Sequence, residues 1–192
     1  MFPHPFDLIV ARALSGCFKD PADFIEQAYE YYHRPLSWPK PSTRATPLTS
    51  RSNLEPGGYL ELQDYHFPYA SDDGTLKKDN ILFRVSSLVI DAAATAGRPI
   101  DCTPDYKSLL EKKGFVDVVE RCFKWPLNDW PRDPHHKELG NWQRETLHAG
   151  VEGLIMALFT RYLGWAKEEV LVAGAQFRAA LKDRSVHAYV PM

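Results

Sequence analysis

The sequence predicts an α/β layered fold. Three observations lead there. Short runs rich in apolar and β-branched residues, at Phe6–Arg12, Tyr59–Tyr65 and Phe115–Trp125, alternate with segments whose apolar residues recur every three or four positions. The first run has five apolar residues in seven, the pattern of a parallel-sheet strand buried on both faces. The final run, Ser185–Pro191, follows two helical segments and alternates cleanly, which places it antiparallel beside the third strand.

The elements follow in order. Asp20 before Pro21 is an N-cap followed by proline at the first helical position, and Phe24, Ala28 and Tyr31 form one face of the helix it starts. Residues 31–52 then carry Pro35, Pro39, Pro41 and Pro47, four basic residues and no acid, and keep neither helical nor strand period. They read as a long irregular loop, uncommon in a compact domain. Asn53–Gly58 is a turn that feeds the second strand, and Ser71-Asp72-Asp73-Gly74 is another turn. Leu82, Val85, Val89, Ala92 and Ala96 mark a helix over 77–97, stopped by Gly97 and Pro99. Thr103 caps a short helix that runs to Lys113 and ends at Gly114. Phe115–Trp125 is the third strand. A long helix from Pro134 to Leu163 carries Leu139, Trp142, Leu147, Val151, Leu154, Leu158 and Tyr162 on its apolar stripe. A second, about 166–182, buries Val170, Ala173, Phe177 and Leu181.

Composition narrows the function classes. Of 192 residues, 44% are hydrophobic and 25% charged, which is the make-up of an ordinary globular domain. A net charge of −2 gives no global field to recruit nucleic acid or an anionic membrane. Cys17, Cys102 and Cys122 are scattered and odd in number, against a disulfide scaffold or a thiolate metal site. No apolar run approaches the roughly 20 residues of a membrane span, and Met1–Pro5 lacks the features of a signal peptide. The expectation is an intracellular protein, cytoplasmic or nuclear.

Several stretches together resemble a known family. Phe6–Arg12 looks like the fourth strand of a class I S-adenosylmethionine-dependent methyltransferase. Leu54-Glu55-Pro56-Gly57-Gly58-Tyr59-Leu60-Glu61 resembles the turn entering the fifth strand, and Gly114-Phe115-Val116-Asp117-Val118 the entry to the sixth. More narrowly, Glu61–Asp64, Ser71–Leu76, Gly97-Arg98-Pro99, Leu158–Arg161 and Arg184–Tyr189 are similar to the fungal LaeA-like methyltransferases of secondary metabolism. The resemblance implies a partial Rossmann-like fold, with strands 4, 5, 6 and 7, the last antiparallel, plus inserted helices. It also implies S-adenosyl-L-methionine as the family's cofactor and a small-molecule or protein methyl acceptor.

Two departures qualify it. The family's glycine-rich loop after the first strand and the acidic residue ending the second are not in the sequence; Gly57-Gly58 precedes a strand, the wrong order for a phosphate- or nucleoside-approaching loop. Residues 1–192 therefore read as the C-terminal portion of a methyltransferase domain, one not expected to bind the cofactor by itself. Residues 31–52 interrupt the helix-to-turn connection of the family. Codon choice allows an in-frame splice donor at Glu30–Tyr31 and an acceptor at Ser52, so a retained intron is favoured over a surface insertion. The competing function is a non-catalytic regulatory or binding protein on the residual fold.

Ligands of open parallel sheets sit beyond the carboxyl ends of the strands. There Arg12, Ala13, Leu14 and Ser15 are the candidate cofactor-binding residues, Arg12 facing a methionine carboxylate; a strand-end arginine on a surface carboxylate is the plainer reading. Gln63, Asp64 and His66 are the substrate-side candidates, with loop capping or a neutral surface histidine as the alternatives. Trp142, with Trp125 and Trp130, could line a substrate lid, although core packing is favoured for the three. No metal site is expected. Cys17 lacks a paired base, and His135-His136 point to different helix faces.

Overall fold

The computed structural model describes residues 6–29 and 54–192. The segment 31–52, expected from the sequence to be an irregular insertion, lies outside the described residues, and Tyr31 with it. The first strand, β1 (Phe6–Arg12), pairs in parallel with β2 (Leu54–Gln63), with Ile9 opposite Leu60, Ala11 opposite Leu62 and Arg12 opposite Gln63. The strand was expected to begin after the proline–glycine–glycine turn. Instead it begins at Leu54, opposite Phe6, and residues 55–58 bulge out before pairing resumes at Leu8 and Tyr59. Gly57 takes φ +81°, and a side chain on Gly58 would press against the carbonyls of Asp7 and Glu55 at 3.0 Å, so the bulge needs both glycines.

Burial of β1 on both faces is not what the structure has. Ile9, Ala11, Leu60 and Leu62 are half-buried on the side of α1 (Pro21–Tyr29). Leu8 and Val10 are each 51% exposed and Tyr59 is 74% exposed, because no described element covers that face. Helix α1 starts as its cap predicts, with Asp20 Oδ1 accepting from the Ala22 N–H at 2.8 Å. Its buried residues are Ile25 and Ala28, with Phe24 only half-buried.

Helix α2 (Ile81–Thr95) begins four residues later than the periodicity suggests, because the Asn80 side chain caps it through the Leu82 N–H. Leu82, Val85, Val89 and Ala92 form its buried face, and Gly97 at φ +68° closes it. A short 3-10 turn, Thr103–Asp105, leads into α3 (Tyr106–Lys113), which ends at Gly114 in the left-handed region. Thr103 was expected to cap this helix; its hydroxyl instead meets the His66 ring.

The third strand is far shorter than its composition suggests. Only Lys124–Pro126 forms β3, and Val116 and Val119 are 84% and 74% exposed. β-propensity expresses itself only against a neighbouring strand, and none of the described residues supplies one to 115–122. Helix α4 (Pro134–Tyr162) is capped by Asp133, as Asp133 Oδ1 accepts from the His136 N–H at 2.9 Å. Its stripe is rotated from the predicted one: Val151, Ile155 and Phe159 are buried, while Trp142, Leu154 and Tyr162 are exposed. The reason is tertiary. α4 packs against α2, α5 and β3, and those three neighbours select one face of a helix that is apolar on more than one. Helix α5 (Lys167–Ala180) buries Val170, Ala173 and Phe177, with Leu181 just beyond, as its period predicts.

The closing strand β4 (Tyr189–Pro191) is antiparallel to β3, as expected, though shorter; Trp125 faces Val190 and Pro126 faces Tyr189. Val186, Ala188 and Val190 are buried in line with their alternation. On its other side, Ala70 and Tyr189 exchange two 2.9 Å backbone bonds and the His66 N–H donates to the Pro191 carbonyl at 2.9 Å. The chain's end therefore lies between β3 and the segment that leaves β2.

This arrangement locks two distant motifs together. Asp72 accepts from Lys124 Nζ at 2.6 Å and from the Tyr189 hydroxyl at 2.7 Å. Asp73 meets the His187 ring and both the N–H and hydroxyl of Thr75, and the Thr75 hydroxyl accepts from the His187 N–H at 2.8 Å. The Thr75 N–H, the Thr75 hydroxyl and then His187 hold the Asp73 carboxyl down at about 2. Lys124 and then Tyr189 lower that of Asp72. A carboxyl depressed by folding stabilises the fold above its ordinary value and ceases to as pH falls through its folded value. The 72–75 turn is therefore expected to stay docked from neutral pH to about 4 and to release between about 4 and 2. Hydrogen exchange of the His187 amide across a pH series checks this; unchanged protection at pH 2 would refute it.

Candidate functional site at the carboxyl ends of the parallel strands

Beyond β1 and β2 the chain makes a tight turn built on one carboxylate. Asp64, the residue after β2, is 8% exposed. Its Oδ2 accepts from the N–H of Ser15 at 2.7 Å, the N–H of Leu14 at 3.1 Å and the hydroxyl of Tyr106 at 3.1 Å. Its Oδ1 accepts from the Tyr65 N–H at 2.9 Å. Ala13 adopts φ +53° in this turn and donates its N–H to the Gln63 carbonyl at 2.8 Å. The opposite side of the turn is held by the segment after α2. The Gly16 N–H donates to the Pro99 carbonyl at 3.3 Å, and the Arg98 guanidinium donates to the Cys17 carbonyl. The Gly97-Arg98-Pro99 motif thus serves to pin the turn after β1.

Leu14, Phe18, Phe24, Ile25 and Leu62 line a small apolar pocket beneath the turn, with Asp64 and Tyr106 on its wall; its volume is about 10 Å³, the space of one water. Burial, and then the charge of Asp64, push the Tyr106 phenol above its ordinary range. Burial likewise raises the Cys102 thiol, which lies 3.8 Å from the Tyr106 oxygen. The Ser15 hydroxyl is buried and has no hydrogen-bond partner among the described residues. A buried donor left in that state is a candidate contact for a ligand or an ordered water.

The structure therefore brings together Ala13, Leu14, Ser15 and Asp64. Arg12 and Gln63 stand at the rim, where Arg12 Nε donates to Gln63 Oε1 at 2.7 Å and the Gln63 amide reaches Glu61. His66 is half-buried beyond them, its Nδ1 3.0 Å from Thr103 Oγ1. Trp142 is not part of this group. It is 68% exposed on α4, and α4 makes no contact with β1 or β2. Core packing, favoured for the three tryptophans, holds in part. Trp125 and Trp130 are half-buried, with Trp130 Nε1 bonded to the Ala188 carbonyl, whereas Trp142 is outside the core. Sequence reading missed Thr103, Tyr106 and Arg98 as parts of the site. Arg98 had a signal, the motif after α2; Tyr106 had none, because only the fold carries α3 to Asp64. Among the described residues no group of three or more histidine, cysteine or acidic side chains could hold a metal, and no helix is long and apolar enough to cross a membrane.

Asp64→Ala is expected to cost about 2–4 kcal/mol, since it leaves buried N–H donors without acceptors at about 1–3 kcal/mol each. Asp64→Asn is expected to cost less, because one acceptor oxygen remains. Denaturation midpoints, with Leu8→Lys in both chains to keep them monomeric, together with exchange of the Leu14 and Ser15 amides measure it; equal midpoints with and without Asp64→Ala would refute it.

No family profile matches the chain, and no solved structure does. Curated proteins do. The chain is 33% identical over 185 residues to a methyltransferase, pytC, of Aspergillus terreus, an alignment covering 96% of this chain and 50% of that protein. It is 33% identical over 161 residues to a probable methyltransferase, tdiE, of Emericella nidulans, covering 84% of this chain and 49% of that protein. It is 30% identical over 133 residues to a protein-methionine methyltransferase, laeA, of Chaetomium globosum, covering 69% and 42%. The chain spans about half the length of these relatives. Together with a parallel strand pair that opens a pinned turn at its carboxyl ends, this likeness makes the chain a relative of the LaeA-like fungal methyltransferases.

Proposed function

We propose that the chain is the C-terminal part of an S-adenosylmethionine-dependent methyltransferase domain, with β1, β2, β3 and β4 in the roles of strands 4, 5, 6 and 7. Its share of the active site is the turn at Ala13–Cys17 and the strand end at Gln63–His66. The observation that carries this reading is the Asp64 clamp. It places a buried, unpartnered Ser15 hydroxyl at the carboxyl end of a parallel pair, where ligands of such sheets bind.

The described residues do not by themselves fit the whole cofactor. A nucleoside sulfonium needs a carboxylate free to take the ribose hydroxyls and room for a base. Asp64 already accepts four hydrogen bonds, and the adjoining pocket holds about 10 Å³. The glycine loop and ribose carboxylate belong, in this reading, to the half of the domain that the relatives carry beyond the matched region. Residues here would then border the acceptor side, with Ser15 and His66 the polar groups offered to it. The same engaged Asp64 is what favours the alternative, a non-catalytic binding protein on the residual fold.

Calorimetric titration tests both. The chain alone is expected to take up no S-adenosylmethionine at micromolar concentration, and the chain combined with the unmatched part of the Aspergillus terreus relative is expected to bind it. Micromolar binding by the chain alone would overturn the partition of the site. A stable combination that still binds none would favour the non-catalytic reading.

A further inference from the structure

A second concavity opens between the first turn of α2 and the start of α5. Its volume is about 340 Å³, within the roughly 300–1,000 Å³ of small-molecule sites. Ile81, Trp165 and Val172 give it an apolar lining, and Val172 is 57% exposed. Trp165 packs on Phe159 with ring centroids 5.1 Å apart, which fixes the indole where it borders the groove. The polar groups on the walls are Arg84 from α2 and Glu168, Glu169 and Gln176 from α5. Glu169 is accounted for within the chain, since its Oε2 accepts from the Ala166 N–H at 2.7 Å and caps α5. The side chains of Arg84, Glu168 and Gln176 have no hydrogen-bond or ion-pair partner among the described residues. Glu168 suits the first turn of a helix. Arg84 does not, because the positive end of the α2 dipole repels a cation there and no acid in that turn offsets it. No local interaction explains an arginine on this wall.

We infer that this groove is a binding site for a short apolar peptide with both ends free, its carboxylate on Arg84, its ammonium on Glu168 and its side chains on Ile81, Trp165 and Val172. Charge complementarity selects the occupant. The cation and the anion stand on different helices with no ion pair between them, so the ligand must carry opposite charges at separated points. The apolar lining calls for an uncharged body between those points. A fatty acid or a simple amine would leave one of the two charges without a partner. Gln176 has both a donor and an acceptor for a peptide link. The site is separate from the pinned turn after β1. Arg84 and the Gly97-Arg98-Pro99 motif lie at opposite ends of α2, whose stretch from Arg84 to Thr95 is about 16 Å long.

The test is a titration of the full chain, carrying Leu8→Lys to keep it monomeric, with the dipeptide leucyl-phenylalanine, followed by nuclear magnetic resonance. The Trp165 indole and Val172 methyl signals are expected to shift saturably. N-acetylation of the dipeptide and amidation of its carboxyl end are each expected to weaken binding about tenfold or more, as loss of a charge-assisted hydrogen bond does. Glu168→Gln is expected to remove the penalty of acetylation alone, and Arg84→Gln that of amidation alone. Both side chains are exposed and hold nothing else in the chain, so the variants keep the fold, which their thermal transitions verify. No saturable shift up to about 10 mM dipeptide would overturn the site. Equal binding of the free and the doubly blocked dipeptide, unchanged by either substitution, would overturn the assigned chemistry and leave a merely apolar groove. Broadened Val172 signals without peptide, at the mass of two copies, would assign the groove to self-association and overturn the occupant. None of these outcomes bears on the methyltransferase reading, which uses no residue of this groove.

Discussion

Expressed alone, the chain is expected to run as aggregates in sedimentation, and Leu8→Lys is expected to move it toward monomer. The cause is the uncovered face of the β1–β2 pair. Leu8 and Val10 are each 51% exposed and Tyr59 74%, on two adjacent strands, with no charge on β1 between Asp7 and Arg12. The outer edge of β1 pairs with no other described strand. Glu61, opposite Val10 on β2, puts a charge at one end of this patch; the apolar remainder, beside an unpaired edge, is a template for association, and an added lysine interrupts it. Ile9→Lys is expected to do the opposite. Ile9 points to the α1 side with Ala11 and Leu62, where it forfeits about 1.5–3 kcal/mol of burial out of a total stability of about 5–15 kcal/mol. The two neighbouring substitutions should therefore separate: higher solubility with an intact thermal transition for Leu8→Lys, a transition at clearly lower temperature for Ile9→Lys. A parent chain that is monomeric with one sharp, cooperative transition would show the face to be harmless.

Gly140→Ala is expected to cost about 3 kcal/mol, the opposite sign from most glycine-to-alanine changes in helices. A β-carbon there would fall on the carbonyl of Asn128, with Pro126 Cβ at 3.3 Å behind it. The Asn128 segment cannot retreat. The Leu127 N–H donates to the Ala188 carbonyl at 3.0 Å, Asn128 Nδ2 donates to the Asp183 carbonyl at 3.1 Å, and Trp130 is bonded to both Asn128 and Ala188. Asn128 itself is fully buried. Gly150→Ala, in open space on the same helix, is expected to stabilise the chain by about 1 kcal/mol. Urea midpoints of the two variants on the Leu8→Lys background measure the contrast. Equal shifts would mean that α4 does not cross the 126–130 segment as closely as described.

The sequence by itself determined the parts whose signal is local. Caps at Asp20, the glycine stops at Gly97 and Gly114, the period of α2 and α5, and the alternation of Val186, Ala188 and Val190 each depend on residues within a few positions of one another. Local sterics and hydrogen bonds decide them. The motifs also carried the family, because their order along the chain is itself a sequence property.

Tertiary structure decided whatever depended on a neighbour. Phe115–Trp125 had strand composition but found a partner only at Lys124–Pro126, since a strand exists through its ladder. Helix α4 could have buried either of two faces, and contact with α2, α5 and β3 chose Val151, Ile155 and Phe159 over Trp142 and Leu154. Asp64 reads in the sequence as either a substrate-side group or a loop cap, and the structure has it capping. Folding surrounds it with donors from Leu14, Ser15, Tyr65 and Tyr106, drawn from three separate stretches of chain. No spacing in the sequence encodes that convergence, because hydrogen-bond satisfaction of a buried carboxylate is settled only when those stretches meet.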